Sequence, residues 1–155
     1  MLWITAKITL SDYLISLSGK PNLLRKARIR HTALRVRDLE ESIHFYTRYL
    51  GMKVTRRRTN QKRGHHAAYV AYGNEANNHA IELVQEFATS VRFEIGNSYW
   101  HLNFSLPDMM AICARMKKDG IEFVEDPTPM ATNENYHIAF IKDPDGYEVE
   151  LTDYP

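Results

Sequence analysis

The sequence predicts an α+β chain of two tandem βαβββ modules whose sheets curl into a half-open barrel. Three observations carry this reading. One order of strand and helix patterns runs twice along the chain. A histidine near the start of each run is answered by a glutamate near its end: His31 by Glu82 and His101 by Glu150, 51 and 49 residues apart. A glycine, Gly51 in one copy and Gly120 in the other, closes the helical pattern, where a left-handed residue commonly ends a helix.

Taken in order, residues 1–28 read as an N-terminal extension. Short apolar runs break at Gly19-Lys20-Pro21, and a basic cluster of Arg25, Lys26, Arg28 and Arg30 follows. The layout lacks the charged start, long apolar run and small-residue cleavage site of a signal peptide. The domain proper spans 29–155, with module 1 at about 29–87 and module 2 at about 98–153. Module 1 opens with a strand pattern over 29–36. Asp38 and Glu41 then stand three apart, where a carboxylate can accept from the free amides of a first helical turn. Leu39, Ile43, Tyr46 and Leu50 recur at helical spacing. Strands are predicted over 52–58, 67–72 and 80–85. Module 2 repeats the order. A strand over 99–106 meets Pro107-Asp108, and Met109, Ile112, Cys113 and Met116 form an apolar stripe. Lys117 and Lys118 sit in the last turn, where the helix dipole favours cations. Strands follow over 121–124, 136–141 and 147–151.

Strand alternation assigns the faces. His31, Ala33 and Arg35 share one face, as do Ala80, Glu82, Val84 and Glu86. Module 2 offers His101, Asn103 and Ser105 beside Glu148, Glu150 and Thr152. The opposite faces are apolar: Leu34 and Val36, Ile81 and Leu83, Leu102, Phe104 and Leu106, Val149 and Leu151. These should meet the helices and leave the polar faces to a cavity. One helix cannot cover both faces of a sheet, so the second face must be buried elsewhere or used. Two imidazoles and two carboxylates at pseudo-symmetric positions make a cage for one divalent metal.

Bulk properties exclude several classes. The 155 residues suit one domain of ordinary size, or two small fused modules, and 44% apolar content supports a core. A formal net charge of +1 gives no global attraction to nucleic acid or anionic membrane. No stretch is apolar over the length that spans a bilayer. Cys113 is the only cysteine, which fits a reducing compartment and a cytoplasmic location.

The segments 30–54 (RHTALRVRDLEESIHFYTRYLGMKV), 80–84 (AIELV), Trp100-His101 and 139–151 (AFIKDPDGYEVEL) resemble the vicinal oxygen chelate superfamily, and within it the glyoxalase I (lactoylglutathione lyase) family. The resemblance implies the glyoxalase/bleomycin-resistance-like fold. It implies His31, Glu82, His101 and Glu150 as ligands of one divalent metal per site, nickel or cobalt favoured and zinc possible. It implies a homodimer with each site built across the interface. The reaction would isomerise the methylglyoxal–glutathione hemithioacetal to S-lactoylglutathione, with glutathione as the co-substrate thiol. Glu150 would be the principal base and Glu82 its assistant. Arg35 matches an arginine that contacts the γ-glutamyl end of glutathione. The alternatives are another enzyme of the superfamily, an epimerase or an isomerase of a different thiol adduct, and a non-catalytic small-molecule-binding protein.

Two positions depart from that pattern. Glu86 stands where the family carries asparagine, and Ala131, in a predicted loop over 129–135, stands at the place of a lysine. Glu86 could pair with the γ-glutamyl ammonium, or the thiol could differ. Arg56-Arg57-Arg58 with Lys62-Arg63 reads as a solvated hairpin arm, or as an attractor for an anionic thiol. His65-His66 reads as loop polarity, and His44, His79 and His137 as surface residues without partners. Asp143-Pro144-Asp145-Gly146 reads as a tight turn, and Trp100 as a packing residue.

Overall fold

The computed structural model describes residues 27–88 and 93–155. The expected extension over 1–28 lies outside the described residues apart from its last two. In the first half the chain runs β1 (His31–Arg35), α1 (Leu39–Arg48), β2 (Lys53–Asn60), β3 (His65–Ala71) and β4 (Ala80–Glu86). The second half runs β5 (His101–Ser105), α2 (Met109–Lys118), β6 (Phe123–Met130), β7 (Asn133–Lys142) and β8 (Glu148–Thr152). Each half forms a four-stranded sheet, in the orders β1-β4-β3-β2 and β5-β8-β7-β6. The predicted tandem βαβββ plan is therefore the observed one.

Local chemistry starts and stops the helices. Asp38 is extended, and its Oδ1 accepts from the amides of Glu40 and Glu41, both at 2.9 Å. Glu40 and Glu41 add negative charge to the first turn of α1. Gly51 follows at φ 70, a conformation that costs a residue with a Cβ. Asp108 holds the corresponding place before α2 but makes no capping bond with its side chain. That helix relies more on Arg115, Lys117 and Lys118 in its last turn.

The apolar strand faces are buried as alternation requires. Leu34, Val36, Ile81, Leu83, Phe104, Leu106, Val149 and Leu151 join Ile43 and Tyr46 of α1 and Met109, Cys113 and Met116 of α2 in one cluster. Leu102 is only partly buried against it. Burial pushes the Cys113 thiol up to about 11, which keeps it a small apolar filler.

The 143–146 segment is a tight turn, with the Gly146 amide donating to the Asp143 carbonyl at 3.0 Å. It is also a buried polar link between the two halves, which Arg48 and Tyr49 meeting Asp119 supplement nearer the surface. Asp143 and Asp145 are 4% and 5% exposed, so each needs partners for its oxygens. Asp143 Oδ1 accepts from the amides of Asp145, Gly146 and Tyr147, and Oδ2 from the Tyr46 hydroxyl of α1 at 2.9 Å. Asp145 Oδ1 accepts from the Arg37 amide at 2.8 Å, and Oδ2 from the Ser42 hydroxyl at 3.1 Å. The Arg37 guanidinium lies 3.3 Å from the same carboxylate.

Three local expectations change. Pro129 and Met130 close β6, and Asn133–Asn135 open β7, so the predicted loop shrinks to a two-residue turn. Pro127 and Pro129 are tolerated because β6 is an edge strand, where a missing amide breaks no inner ladder. His65 and His66 belong to β3, drawn into the β2 hairpin by pairing with Asn60 and Thr59. Trp100, expected to pack, is 73% exposed, and its ring lies against His101.

Tyr46→Phe should remove one donor from a buried carboxylate and cost about 1–3 kcal/mol in urea unfolding. The same site sets a pH dependence. Burial is the largest effect on Asp143 and pushes its carboxyl up to about 6 from an ordinary 3.8, against donation from Tyr46 and the backbone. The folded state then binds more protons than the unfolded chain between these values. This contribution to stability is complete below about pH 4 and is lost as pH rises through about 6. Unfolding midpoints across pH 4–7 should show that slope, and Asp143→Asn should flatten it.

Candidate metal centre

Parallel pairing of the first and last strand of each module places an imidazole beside a carboxylate. In module 1, His31 is opposite Ala80 and Ala33 is opposite Glu82. In module 2, His101 is opposite Glu148 and Asn103 is opposite Glu150. The offset is the same in both, so each glutamate is the diagonal neighbour of its histidine on the face turned away from the helices. His31 Nε2 lies 3.1 Å from Glu82 Oε2, and His101 Nε2 lies 2.9 Å from Glu150 Oε2. The same pair of atoms meets in both modules.

The two pairs are not gathered within the chain. Among the described residues no group of three or more His, Cys, Asp or Glu stands close enough to hold an ion. Each module therefore presents one His–Glu pair, two of the four candidate ligands. The His31 side chain is 40% exposed and Glu82 15%; His101 and Glu150 are 22% and 16% exposed. Two imidazole nitrogens and two carboxylates form a mixed nitrogen and oxygen set that suits a borderline divalent cation and balances its charge. Among the described residues, His101 Nδ1 is buried without a hydrogen-bond partner, so none of them orients that ring as an acceptor. Aromatic contact holds it instead: Trp100 and Phe140 lie edge-on at 4.9 and 5.5 Å.

The next strand breaks the symmetry. Tyr69 on β3 is opposite Glu82, and Phe140 on β7 is opposite Glu150. Their rings take equivalent places, Tyr69 at 5.6 Å from the His31 ring and Phe140 at 5.5 Å from His101. Only Tyr69 has a hydroxyl, and it donates to Glu82 Oε1. Burial first, then the bond to Glu82, raise the Tyr69 hydroxyl above its ordinary value and keep it a donor. Glu82 thus has both oxygens engaged, whereas the aromatic residue opposite Glu150 has nothing to donate. Sequence reading passed over Tyr69, because finding it requires knowing which β3 residue pairs with Glu82.

The other expected contact residues lie close by. Arg35 and Glu86 flank a cavity of about 520 Å³ that also reaches Glu82. They face each other at 3.6 Å, so Glu86 has a cation beside it in this chain. Ala131 lies in the β6–β7 turn and brings no charge. His137 and His79 do have partners: His137 Nδ1 meets Asp153 at 3.0 Å, and His79 Nε2 meets the Thr32 hydroxyl at 3.1 Å.

With this geometry in hand, the profile of the Glyoxalase/Bleomycin resistance protein/Dioxygenase superfamily matches residues 28–151. The chain belongs to this superfamily. A probable lactoylglutathione lyase of Vibrio cholerae is 40% identical over 124 residues, which cover 80% of this chain and 88% of that protein. The trypanothione-dependent glyoxalase I of Leishmania major superposes with a TM-score of 0.68 at 32% identity, over 80% of this chain and 84% of that one. The glyoxalase I of Zea mays superposes with a TM-score of 0.75 at 31% identity; the match covers 81% of this chain but only 44% of the maize chain. The superfamily's tandem βαβββ plan is the one seen here, with one His–Glu pair on each sheet.

Tyr69→Phe should free Glu82 Oε1 at a cost of about 1 kcal/mol in chemical unfolding, since the carboxylate is only partly shielded from water. Phe140→Tyr should add the mirror-image bond in module 2 without loss of stability. Equal behaviour of the two variants would mean that the hydroxyl does not distinguish the carboxylates.

Proposed function

We propose that this chain is a metal-dependent lactoylglutathione lyase that converts the methylglyoxal–glutathione hemithioacetal to S-lactoylglutathione. The observation that carries the reading is the duplicated His–Glu pair, each with Nε2 against Oε2 on the open face of a superfamily sheet. Sequence identity to a probable lactoylglutathione lyase over most of both chains supports the same reaction. Another superfamily reaction is not favoured, because the relatives point to one activity. A passive binding protein would have no use for four metal-ligating side chains.

His31 and Glu82 from one subunit, with His101 and Glu150 from a second copy, complete the ligand set. The reason is geometric: each module holds one pair on a face turned away from the shared core, so a four-ligand centre needs two such faces opposed. The chain therefore acts as a homodimer with two sites. When bound, the divalent cation would polarise the hemithioacetal oxygens as a Lewis acid and offset the negative charge that develops on them. We favour nickel or cobalt over zinc, because the chain keeps short connections throughout the duplicated core.

The residues divide the proton chemistry. The reaction moves one proton from the carbon bearing sulfur to its neighbour, so one carboxylate can take it and return it. Glu150 has an oxygen left over and an apolar neighbour in Phe140, which favours it as the base. Glu82 is held by both the Tyr69 hydroxyl and His31, which favours a fixed ligand that assists from the opposite side. Arg35 lies at the end of the module 1 cavity, where it can hold a carboxylate of the thiol, with Glu86 beside it for an ammonium. The single buried cysteine suits a reducing compartment such as the cytoplasm.

Protein stripped of metal and reloaded with nickel, cobalt or zinc should form thioester from methylglyoxal and glutathione, followed by absorbance. Tight metal binding with no turnover under any of the three would overturn the glutathione reaction. Glu150→Gln should lower kcat by at least about a thousandfold and leave the dimer intact by equilibrium sedimentation. Site sharing has its own test. His31→Ala and His101→Ala chains should each be inactive, yet mixing and reannealing them should restore activity, because a mixed dimer keeps one unaltered site. Failure of the mixture to recover would place all four ligands in one chain.

A further inference from the structure

The basic run on β2 is only partly used by the fold. Arg56 pairs with Glu75 at 2.8 Å and lies over the Tyr69 ring, 3.7 Å from its centroid. Arg57 points to the other face and pairs with Glu40. Among the described residues, Arg58 and Arg63 have no carboxylate within 4.0 Å. Both line the cavity that holds Arg35, Glu82 and Glu86.

Register explains how they come together. Arg35 is opposite Val84, Val84 is opposite Ala67, and Ala67 is opposite Arg58. One cross-strand row thus carries an arginine on each edge strand and two short apolar residues between them. The row spans three strand spacings, about 14 Å between its ends. Short side chains at its centre leave a trough, and the neighbouring row holds Glu82 and Tyr69. The β2–β3 turn adds Arg63, whose amide donates to Asn60 Oδ1 at 3.0 Å. The trough therefore has cations at both ends, with the candidate metal ligand Glu82 on its flank. Arg35 is offset by Glu86, while Arg58 and Arg63 remain uncompensated among the described residues.

We propose that Arg58 and Arg63 form an anion-binding subsite for a terminal carboxylate of the thiol, on the opposite edge of the module 1 sheet from Arg35. This rests on the isomerase reading above and adds two specificity-determining residues, Arg58 and Arg63, for the carboxylate of the thiol that Arg35 does not hold. A guanidinium presents paired donors in a plane that matches a carboxylate, so two unpaired arginines in a trough suit that group. The subsite also supplies from the hairpin a cation that the turn at Ala131 does not carry. A thiol whose second carboxylate is capped would lose this anchor.

Binding of S-methylglutathione, which cannot react, tests the subsite by isothermal titration of the full chain. The Arg58→Ala/Arg63→Ala double variant should bind it about tenfold more weakly or worse. The Arg58→Lys/Arg63→Lys variant should recover part of the loss, because an ammonium keeps the charge without the paired donors, and that recovery separates charge from misfolding. Arg57→Ala, altered on the opposite face, should bind as the unaltered protein does. The glycyl ethyl ester of S-methylglutathione should bind the unaltered protein about tenfold more weakly than the free acid, and the double variant should not weaken it further. Binding of the free acid by the double variant within twofold of the unaltered protein overturns the proposal. So does an equal loss for acid and ester, or no binding of S-methylglutathione by the unaltered protein. The two readings fail separately. Arginine-dependent binding by a protein that turns over no adduct would overturn the isomerase and support the subsite. Turnover with arginine-independent binding would do the reverse.

Discussion

In each module the last strand returns to pair parallel with the first, and the candidate site depends on that pairing. It joins residues some fifty positions apart and sets the offset that brings His31 to Glu82 and His101 to Glu150. A one-residue slip would carry each glutamate to the apolar face, into a core built from Leu34, Leu83, Phe104 and Leu151. Core packing and ligand placement are thus enforced together. The hydrophobic face cannot be satisfied in any register that spoils the polar one.

A second constraint joins the halves. Asp143 and Asp145 lie buried in the turn before β8, and their oxygens are met by backbone amides, by Tyr46 and Ser42 of α1, and by Arg37. Burying two carboxylates is costly unless each is well hydrogen-bonded, and here the partners come from both modules. The network fixes the helix of one module against the turn that introduces the last strand of the other. The two His–Glu pairs stay on faces turned away from that core.

Duplication makes the departures from symmetry informative. Tyr69 and Phe140 take the same place beside their histidines and differ by one hydroxyl, which separates the surroundings of the two carboxylates. The cavity face of module 1 carries an arginine at each end of one row, with Glu82 on its flank. The shared features are the His–Glu pairs; the hydroxyl of Tyr69 and the arginines of the module 1 row are where the modules differ.

Much of this was legible in the chain itself. Alternation assigned His31, Glu82, His101 and Glu150 to the polar faces and Leu34, Leu83, Phe104 and Leu151 to the core, because side-chain direction in a strand follows from sequence parity. Asp38 announced a cap, and Gly51 and Gly120 announced helix ends, because these are local backbone effects. Strand ends were less legible: His65, His66, Pro129 and Met130 were assigned to loops because hairpin length depends on a partner strand and not on local propensity. Cross-strand neighbours were not legible at all. That Tyr69 meets Glu82, that Arg58 shares a row with Arg35, and that Asp143 receives the Tyr46 hydroxyl are consequences of register and packing between distant segments. The sequence by itself determined which residues could ligate a metal and which face they occupy. Only the tertiary structure decided which atoms meet, Nε2 against Oε2 within each module, and that the two His–Glu pairs stay apart among the described residues, because the apolar faces join in one core on the helix side.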